Sequence, residues 1–195
     1  MNKYISIAFL IMFIGWGSAL AQTDYDMFLA GQGNITFYQR QNSGSGSISF
    51  VAVTGSDNPL NDVDLTRSKV TFVDIDNDGD MDCFTGKSGG AIQYWKNTGT
   101  STSPTFVEQT GGNNPLNIDP GAKTNLTFVD IDGDGDMDCF IGEDSQLINY
   151  YKNNGNSNTP DFDEVTGSDN PLNGVTSDEN LSPAFVDIDG DGDID

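Results

Sequence analysis

The sequence predicts an all-β protein, an incomplete β-propeller of about three blades with four short strands each. Three observations support this prediction. A set of motifs recurs along the chain with a period of about 56 residues, which is in the range of repeat architectures. Each period contains four short runs rich in Phe, Val, Ile and Tyr, bounded by Gly, Asn, Asp, Ser and Pro. A nine-residue stretch with five aspartates at alternating positions also recurs three times along the chain.

The repeat is clearest at two kinds of position. An Asn-Pro-Leu triplet recurs at a constant spacing, starting at Asn58, Asn114 and Asn170. Single phenylalanines keep the same spacing, at Phe50, Phe106 and Phe162. A period of this length is typical of stacked units or of a propeller, and not of a single globular core.

Four short strands are predicted in each period. In the second copy they cover residues 126–130, 138–141, 147–152 and 161–165. No segment has a helical hydrophobic period of useful length. Four strands in one period fit a propeller blade better than a solenoid rung, which would be shorter.

The repeats are expected to fill residues 22–195, in approximate units 22–73, 74–129 and 130–186, with a further unit starting at 187–195. Propellers typically close with about four to eight blades, so about three units leave strand edges open. The chain is therefore interpreted as the N-terminal fragment of a longer protein. Assembly of several chains into one ring is the alternative.

Residues 1–21 are predicted to be a signal peptide that is removed on export. Lys3 gives a positive start, an apolar run extends from Ile5 to Gly15, and Ala19-Leu20-Ala21 supplies a small-residue cleavage pattern. A membrane anchor is the alternative, but the apolar run is short for a membrane span. We expect an exported protein, secreted or on the cell surface, with no membrane span after signal removal.

The composition excludes several classes of function. The chain of 195 residues has 30 acidic residues, 8 basic residues and no histidine, for a formal net charge of −22. So acidic a surface repels phosphate backbones and anionic lipid heads, and nucleic-acid binding is not expected. Without histidine there is no Ser-His-Asp triad, no Cys-His pair and no His-ligated zinc site.

The two cysteines, Cys83 and Cys139, each follow an aspartate-rich stretch at the same place in the repeat. We expect both to fill a buried apolar slot, since free cysteine behaves as a small hydrophobic residue. A disulfide between them is the alternative, because export permits oxidation.

The three aspartate-rich stretches, residues 74–82, 130–138 and 187–195, are predicted to bind calcium. Each places carboxylates at positions 1, 3, 5, 7 and 9 of the stretch. A chain that curls round one ion presents alternate residues to it, and Ca²⁺ takes about six to eight hard oxygen ligands. Positions 4 and 6 are Gly or Asn, which tolerate the positive φ of a tight loop. Magnesium is less favoured because it demands stricter octahedral geometry.

Other interpretations of these stretches are weaker. An EF-hand needs flanking helices and a bidentate Glu at position 12, where this chain has Thr85 and Ile141. A solvated acidic turn that binds nothing would not need the same spacing three times. Position 8, held by Met81, Met137 and Ile194, is expected to point away from the ion into apolar packing.

Three segments resemble the FG-GAP/VCBS repeats, which are also the blades of integrin α-subunit propellers. They are FVDIDNDGDMDCFTG (72–86), FVDIDGDGDMDCFIG (128–142) and FVDIDGDGDID (185–195). The resemblance covers essentially the whole mature chain and implies a calcium loop inside a β-hairpin of each blade. The Phe-x-Gly signature is kept in two copies and becomes Phe28-Leu29-Ala30 in the first. The Gly-Ala-Pro half is not recognisable, so the match is nearer to bacterial VCBS-type repeats than to integrins.

The resemblance also implies a ligand set, with side chains at positions 1, 3, 5 and 9 and the backbone carbonyl at position 7. In the first two loops the side-chain ligands would be Asp74, Asp76, Asp78, Asp82, Asp130, Asp132, Asp134 and Asp138. In the third loop they would be Asp187, Asp189, Asp191 and Asp195. The carbonyl ligands would be those of Asp80, Asp136 and Asp193.

Two classes of function follow. The favoured one is an exported calcium-binding repeat protein that acts as a binding, adhesion or scaffold module, with an extracellular protein or glycan as partner. The other is the N-terminal propeller part of an exported carbohydrate-active enzyme. No catalytic residue and no organic cofactor site is predicted, so the chain itself is not expected to be an enzyme.

Overall fold

The computed structural model describes residues 26–30, 32–43, 47–61, 63–66, 69–87, 89–176, 181–192 and 194. The predicted signal peptide, residues 1–21, lies outside them. The chain divides into two compact units, Met1–Val70 and Thr71–Asp195. In the described part of the chain, no helix has the length and apolar character needed to cross a membrane.

The first unit contains an antiparallel sheet of short strands. Its strands are β1 (Met27–Ala30), β2 (Gln32–Ser43), β3 (Ser47–Val53) and β4 (Asp64–Thr66). The order is β1-β2-β3, and β4 pairs with the start of β2, where Asn34 lies opposite Asp64. This sheet therefore differs from the two that follow, because its fourth strand pairs with β2 and not with β3.

The next two sheets have the same up-and-down antiparallel topology. The second sheet contains β5 (Val70–Val73), β6 (Asp82–Gly86), β7 (Ile92–Asn97) and β8 (Phe106–Gln109). The third contains β9 (Asn125–Val129), β10 (Asp138–Gly142), β11 (Ile148–Asn153) and β12 (Phe162–Val165). The all-β prediction is confirmed, and the four strands predicted in the second copy agree with β9–β12 to within one residue at each end.

The second and third sheets bury a shared hydrophobic core. Phe84 and Ile92 of the second sheet belong to the same buried cluster as Leu126 and Ile141 of the third. Cys83 and Cys139 are fully buried free thiols, which confirms the predicted apolar slot. Burial raises the pKa of both thiols, so neither is a ready thiolate.

A recurring hydrogen bond connects each of these sheets to the segment after it. The hydroxyl of Thr71 on β5 donates to the carbonyl of Leu126 at 2.9 Å. The hydroxyl of Thr127 on β9 donates to the carbonyl of Pro183 at 2.6 Å. Because both pairs hold the same place in the repeat, residues 181–185 lie against the third sheet as β9 lies against the second.

The Phe-x-Gly signature lies at this same junction. Phe84 packs on Phe128 with 4.9 Å between ring centroids, and Phe140 packs on Phe185 at 4.7 Å. A Cβ atom on Gly86 would lie 2.7 Å from the backbone oxygen of Thr124. The corresponding distance from Gly142 to the backbone oxygen of Leu181 would be 2.3 Å. The phenylalanine of the signature therefore provides a ring against which the next segment packs. The glycine has no side chain, so the backbone of that segment can approach it closely.

In each repeat, the asparagine of the Asn-Pro-Leu triplet attaches its loop to a strand of the sheet by hydrogen bonds. Asn114 Nδ2 donates to the carbonyl of Ile92 at 3.0 Å, and its Oδ1 accepts from the backbone N–H of Leu116, also at 3.0 Å. Asn58 and Asn170 make the same pair of bonds in their own repeats. All three asparagines are buried, so the triplet is a structural anchor and not only a turn.

Candidate metal centres

Each of the first two aspartate-rich stretches connects neighbouring antiparallel strands. Residues 74–82 run from the end of β5 into the start of β6, and residues 130–138 run from β9 into β10. In the third sheet Asp138 lies opposite Val129, so the first and last aspartates of the loop are brought close by strand pairing. The loop is therefore the tip of a hairpin, as the resemblance implies.

The residues at positions 4 and 6 of each loop have positive φ, which lets the backbone turn tightly. Asn77 and Gly79 have φ of 54° and 91° in the first loop, and Gly133 and Gly135 have 73° and 90° in the second. Gly190 and Gly192 repeat this in the third loop, at 77° and 99°. The prediction that these two positions need left-handed backbone is confirmed in all three loops.

The first aspartate of each loop organises the backbone around it. In the first loop Asp74 accepts hydrogen bonds from the N–H groups of Asp78, at 3.1 Å, and Gly79, at 3.0 Å. Asp130 accepts from Asp134 and Gly135 at the same two distances in the second loop. Partial burial raises the pKa of Asp74, although these backbone N–H groups act in the opposite direction.

The structure brings the carboxylates at positions 1, 3 and 5 together in all three loops. Within each group, one oxygen from each residue lies within 4.8 Å of the others. The groups are Asp74, Asp76 and Asp78; Asp130, Asp132 and Asp134; and Asp187, Asp189 and Asp191. Three carboxylates so close together repel one another in the absence of a cation.

In the first two loops the carboxylates at positions 7 and 9 lie outside these groups. The backbone N–H of Asp80 donates to Asp78 Oδ1 at 3.0 Å, and Asp136 does the same to Asp134. Asp82 and Asp138, at position 9, are almost fully buried at the start of β6 and β10. Asp193 and Asp195 lie outside the described residues.

Asp82 and Asp138 are held by the neighbouring strand. Asp82 accepts hydrogen bonds from the Tyr94 hydroxyl and the Asn97 backbone N–H, both at 2.7 Å. Burial raises the pKa of Asp82 to about 6, although both donors lower it. Asp138 accepts hydrogen bonds from the equivalent donors, the Tyr150 hydroxyl and the Asn153 backbone N–H. Burial raises the pKa of Asp138 too.

A lysine reaches the carboxylate group in each of the first two loops. Lys96 on β7 donates to Asp76, and its Nζ lies 3.6 Å from Asp78 Oδ2. Lys152 on β11 donates to Asp132, and its Nζ lies 3.8 Å from Asp134 Oδ2. The hydrogen bond to the carboxylate raises the pKa of each lysine and keeps it charged.

One carboxylate oxygen in the first loop has no hydrogen-bond donor among the described residues. Asp76 Oδ1 is buried and has no hydrogen-bond partner among the described residues, whereas Oδ2 of the same carboxylate accepts a hydrogen bond from Lys96 Nζ. A buried anionic oxygen without a partner is costly. A cation in the carboxylate group would satisfy it, and a donor set made only of hard oxygens fits Ca²⁺. The residues present therefore fit the predicted ion.

The first loop is more enclosed than the second. Asn158, on the turn between β11 and β12, donates to the backbone oxygen of Asp76 at 3.1 Å. The two lie at a groove of about 400 Å³ whose lining includes Tyr94, Lys96 and Pro160. The Asp76 side chain is 16% exposed, compared with 36% for Asp132.

Two sets of contact residues were not predicted from the sequence as part of the site. Tyr94 and Tyr150 follow the last aspartate of their loops by 12 residues, and the two lysines follow the tyrosines by two. Residues two apart on a strand share a face, so this spacing was a usable signal. The prediction for position 8 is wrong for Met137, whose side chain is 38% exposed because this part of the loop extends into solvent.

Comparison with known proteins identifies one family model, described as an FG-GAP-like repeat. It matches the chain three times, over residues 23–85, 74–141 and 130–195. Each match contains an aspartate loop, and together the matches cover most of the chain. No curated protein and no solved structure shows a significant match.

Proposed function

The chain belongs to the FG-GAP-like repeat family, and from this premise we propose that it is an exported calcium-binding module that binds or scaffolds an extracellular protein or glycan. Repeats of this family form propeller-like structural modules that are typically not catalytic. Export is proposed from the sequence of residues 1–21. The observation that carries the calcium proposal is the group of three carboxylates that recurs in all three loops.

Calcium would be held first by the carboxylates at positions 1, 3 and 5. The family resemblance adds the carbonyl at position 7 and the carboxylate at position 9. Bound calcium supplies positive charge that converts repulsion among these oxygens into coordination. Asp74 and Asp130 orient the loop backbone, and Tyr94 and Tyr150 hold the carboxylates of Asp82 and Asp138.

The consequence for function is a rigid edge on the second and third sheets. The loops join neighbouring strands, so an ion that fixes the loop also fixes the hairpin. In a chain with 30 acidic and 8 basic residues, calcium would also reduce the net repulsion of the folded state. The module would present its loops and grooves to a partner only where calcium is abundant, as it is outside cells.

A thermal unfolding experiment tests this proposal. Calcium should raise the melting temperature of the full chain relative to EGTA, with a Kd on the order of 10⁻⁴ to 10⁻³ M. The double variant Asp76→Ala/Asp132→Ala should lose most of the response, whereas Asp144→Ala, outside the loops, should keep it. Magnesium at equal concentration should have a smaller effect. An identical melting curve with calcium and with chelator would contradict the proposal.

A further inference from the structure

Lys96 and Lys152 contact the carboxylate groups that would hold a cation. Each Nζ donates to the carboxylate at position 3 and lies within 4 Å of the carboxylate at position 5. These are two of the three carboxylates in each candidate metal group. The ammonium group therefore already neutralises part of the charge that a metal ion would neutralise.

The arrangement is repeated and not incidental. The chain has 8 basic residues against 30 acidic ones, yet two of the eight lie at equivalent places in successive repeats. Each lysine lies two residues after the tyrosine that holds the position-9 aspartate, on the same face of its strand. Strand pairing therefore places the tyrosine and the lysine of one strand beside the same aspartate loop.

Electrostatics makes the lysine and the ion competitors. An ammonium group and a calcium ion bound to the same two carboxylates would be a few ångströms apart and would repel each other strongly. Both lysine side chains are about one-third exposed, so each can swing into solvent on its flexible stem. Binding of the ion therefore favours release of the carboxylates by the lysine.

We infer that Lys96 and Lys152 are built-in competitors of calcium that hold the loops together without metal and set the calcium concentration at which each loop fills. This inference rests on the proposed function. Competition with the lysine also provides selectivity for divalent ions. A sodium ion would replace one unit charge with another and gain little, whereas a divalent ion adds charge to the group.

Calcium titration calorimetry on the full chain tests the inference. Lys96→Gln and Lys152→Gln remove the charge and retain much of the side chain. Each should tighten calcium binding at its own loop by about tenfold, the effect of removing a unit charge roughly 6 Å from the ion in a watery environment. Lys123→Gln is the matched control, because Lys123 pairs at 2.7 Å with Asp144 outside the loops. It should leave calcium binding unchanged.

Nuclear magnetic resonance of ¹³C-methylated lysines provides a second measurement, since methylation keeps the positive charge. On saturation with calcium, the Lys96 and Lys152 signals should move to positions typical of free lysine, and the Lys123 signal should stay. Weaker or unchanged calcium binding by both variants, or lysine signals that do not move, would overturn the inference while leaving the proposed function intact. Absence of calcium binding by wild type and by both variants would overturn both.

Discussion

Tyr94 donates a hydrogen bond of 2.7 Å from its hydroxyl to Oδ2 of Asp82, the last aspartate of the first loop. Tyr150 makes the same contact with Asp138 in the next sheet, at 3.0 Å. Each aspartate begins one strand and each tyrosine lies on the neighbouring strand. The contact therefore ties the end of the aspartate loop to the sheet, and it couples the geometry of the loop to the stability of the hairpin.

Replacement of this tyrosine should destabilise the metal-free protein. Tyr94→Phe leaves a buried carboxylate with one donor fewer, so the free energy of unfolding should fall by about 1–2 kcal/mol. Urea unfolding in metal-free buffer measures the change, and Tyr150→Phe should behave alike. Tyr151→Phe is the control, because Tyr151 is also buried on β11 but is not one of the tyrosines that contact a position-9 aspartate. Equal losses in Tyr94→Phe and Tyr151→Phe would show that the contact with Asp82 contributes nothing.

Burial of Asp82 should make the stability of the metal-free protein depend on pH. The pKa of its carboxyl rises from 3.8 to about 6 on folding, chiefly through desolvation. The folded state then binds the proton more tightly than the unfolded state. The resulting stabilisation is fully present below about pH 4 and is lost as the pH rises through about 6.

Comparison of wild type with Asp82→Asn isolates this effect. Between pH 4 and pH 7 the free energy of unfolding of the wild type should fall by on the order of 1–2 kcal/mol more than that of Asp82→Asn. Parallel curves for wild type and Asp82→Asn would mean that Asp82 does not change its proton affinity on folding.

The close approach at Gly86 should not tolerate a methyl group. Gly86→Ala places a Cβ 2.7 Å from the backbone oxygen of Thr124, so the second and third sheets must separate. We expect a loss of about 1–3 kcal/mol in the free energy of unfolding. Gly112→Ala is the matched control, since its Cβ would meet nothing within 4 Å. Retained stability in Gly86→Ala would show that this junction adjusts without cost.

The buried asparagine of the Asn-Pro-Leu triplet should matter more than its neighbour. Asn114→Ala leaves the carbonyl of Ile92 and the N–H of Leu116 without their partner, which should cost about 1–3 kcal/mol. Thermal and urea unfolding measure the loss. Asn113→Ala, at an exposed position of the same turn, should change stability by less than about 0.5 kcal/mol. A similar loss in both variants would assign the effect to the turn as a whole.

The enclosed first loop should bind calcium more tightly than the second. In an Asp132→Ala background, Asn158→Ala should weaken binding at the first loop by roughly two- to tenfold, as expected for one hydrogen bond. Calorimetric titration measures the affinity. Asn154→Ala, whose side chain reaches Asp163 from the same turn region, is the control. An affinity unaffected by Asn158→Ala would mean that the contact with Asp76 does not order the loop.

Local chemistry made the strands and the loop backbone predictable. Runs of β-branched and aromatic residues located β9–β12, and Asn77 and Gly79 revealed where the backbone turns left-handed. The partners of the aspartates were harder to predict, because strand register decides which side chain reaches which loop. Neither Lys96 nor Tyr94 is close to Asp76 or Asp82 in sequence, and pairing of β6 with β7 brings them together.

Contacts between sheets were harder still. The sequence shows that the spacing of Phe84 and Gly86 recurs in the next repeat, but it does not reveal that the glycine lies under the backbone of Thr124. The ligand roles of all the loop aspartates stay predictions, and Asp193 and Asp195 lie outside the described residues. The greater enclosure of the first loop depends on Asn158, a residue 82 positions from its partner.

The recurring junction has a consequence for how such a chain can grow. The second and third sheets each offer the segment that follows them the same threonine hydroxyl, the same phenylalanine ring and the same glycine without a side chain. A gene duplication or deletion of one whole period would leave every surviving junction chemically unchanged. The threonine hydroxyl and its acceptor are 55 residues apart at the first of these junctions and 56 at the second, so the loops accommodate a small change in length, whereas the lineage can vary its overall size in complete modules.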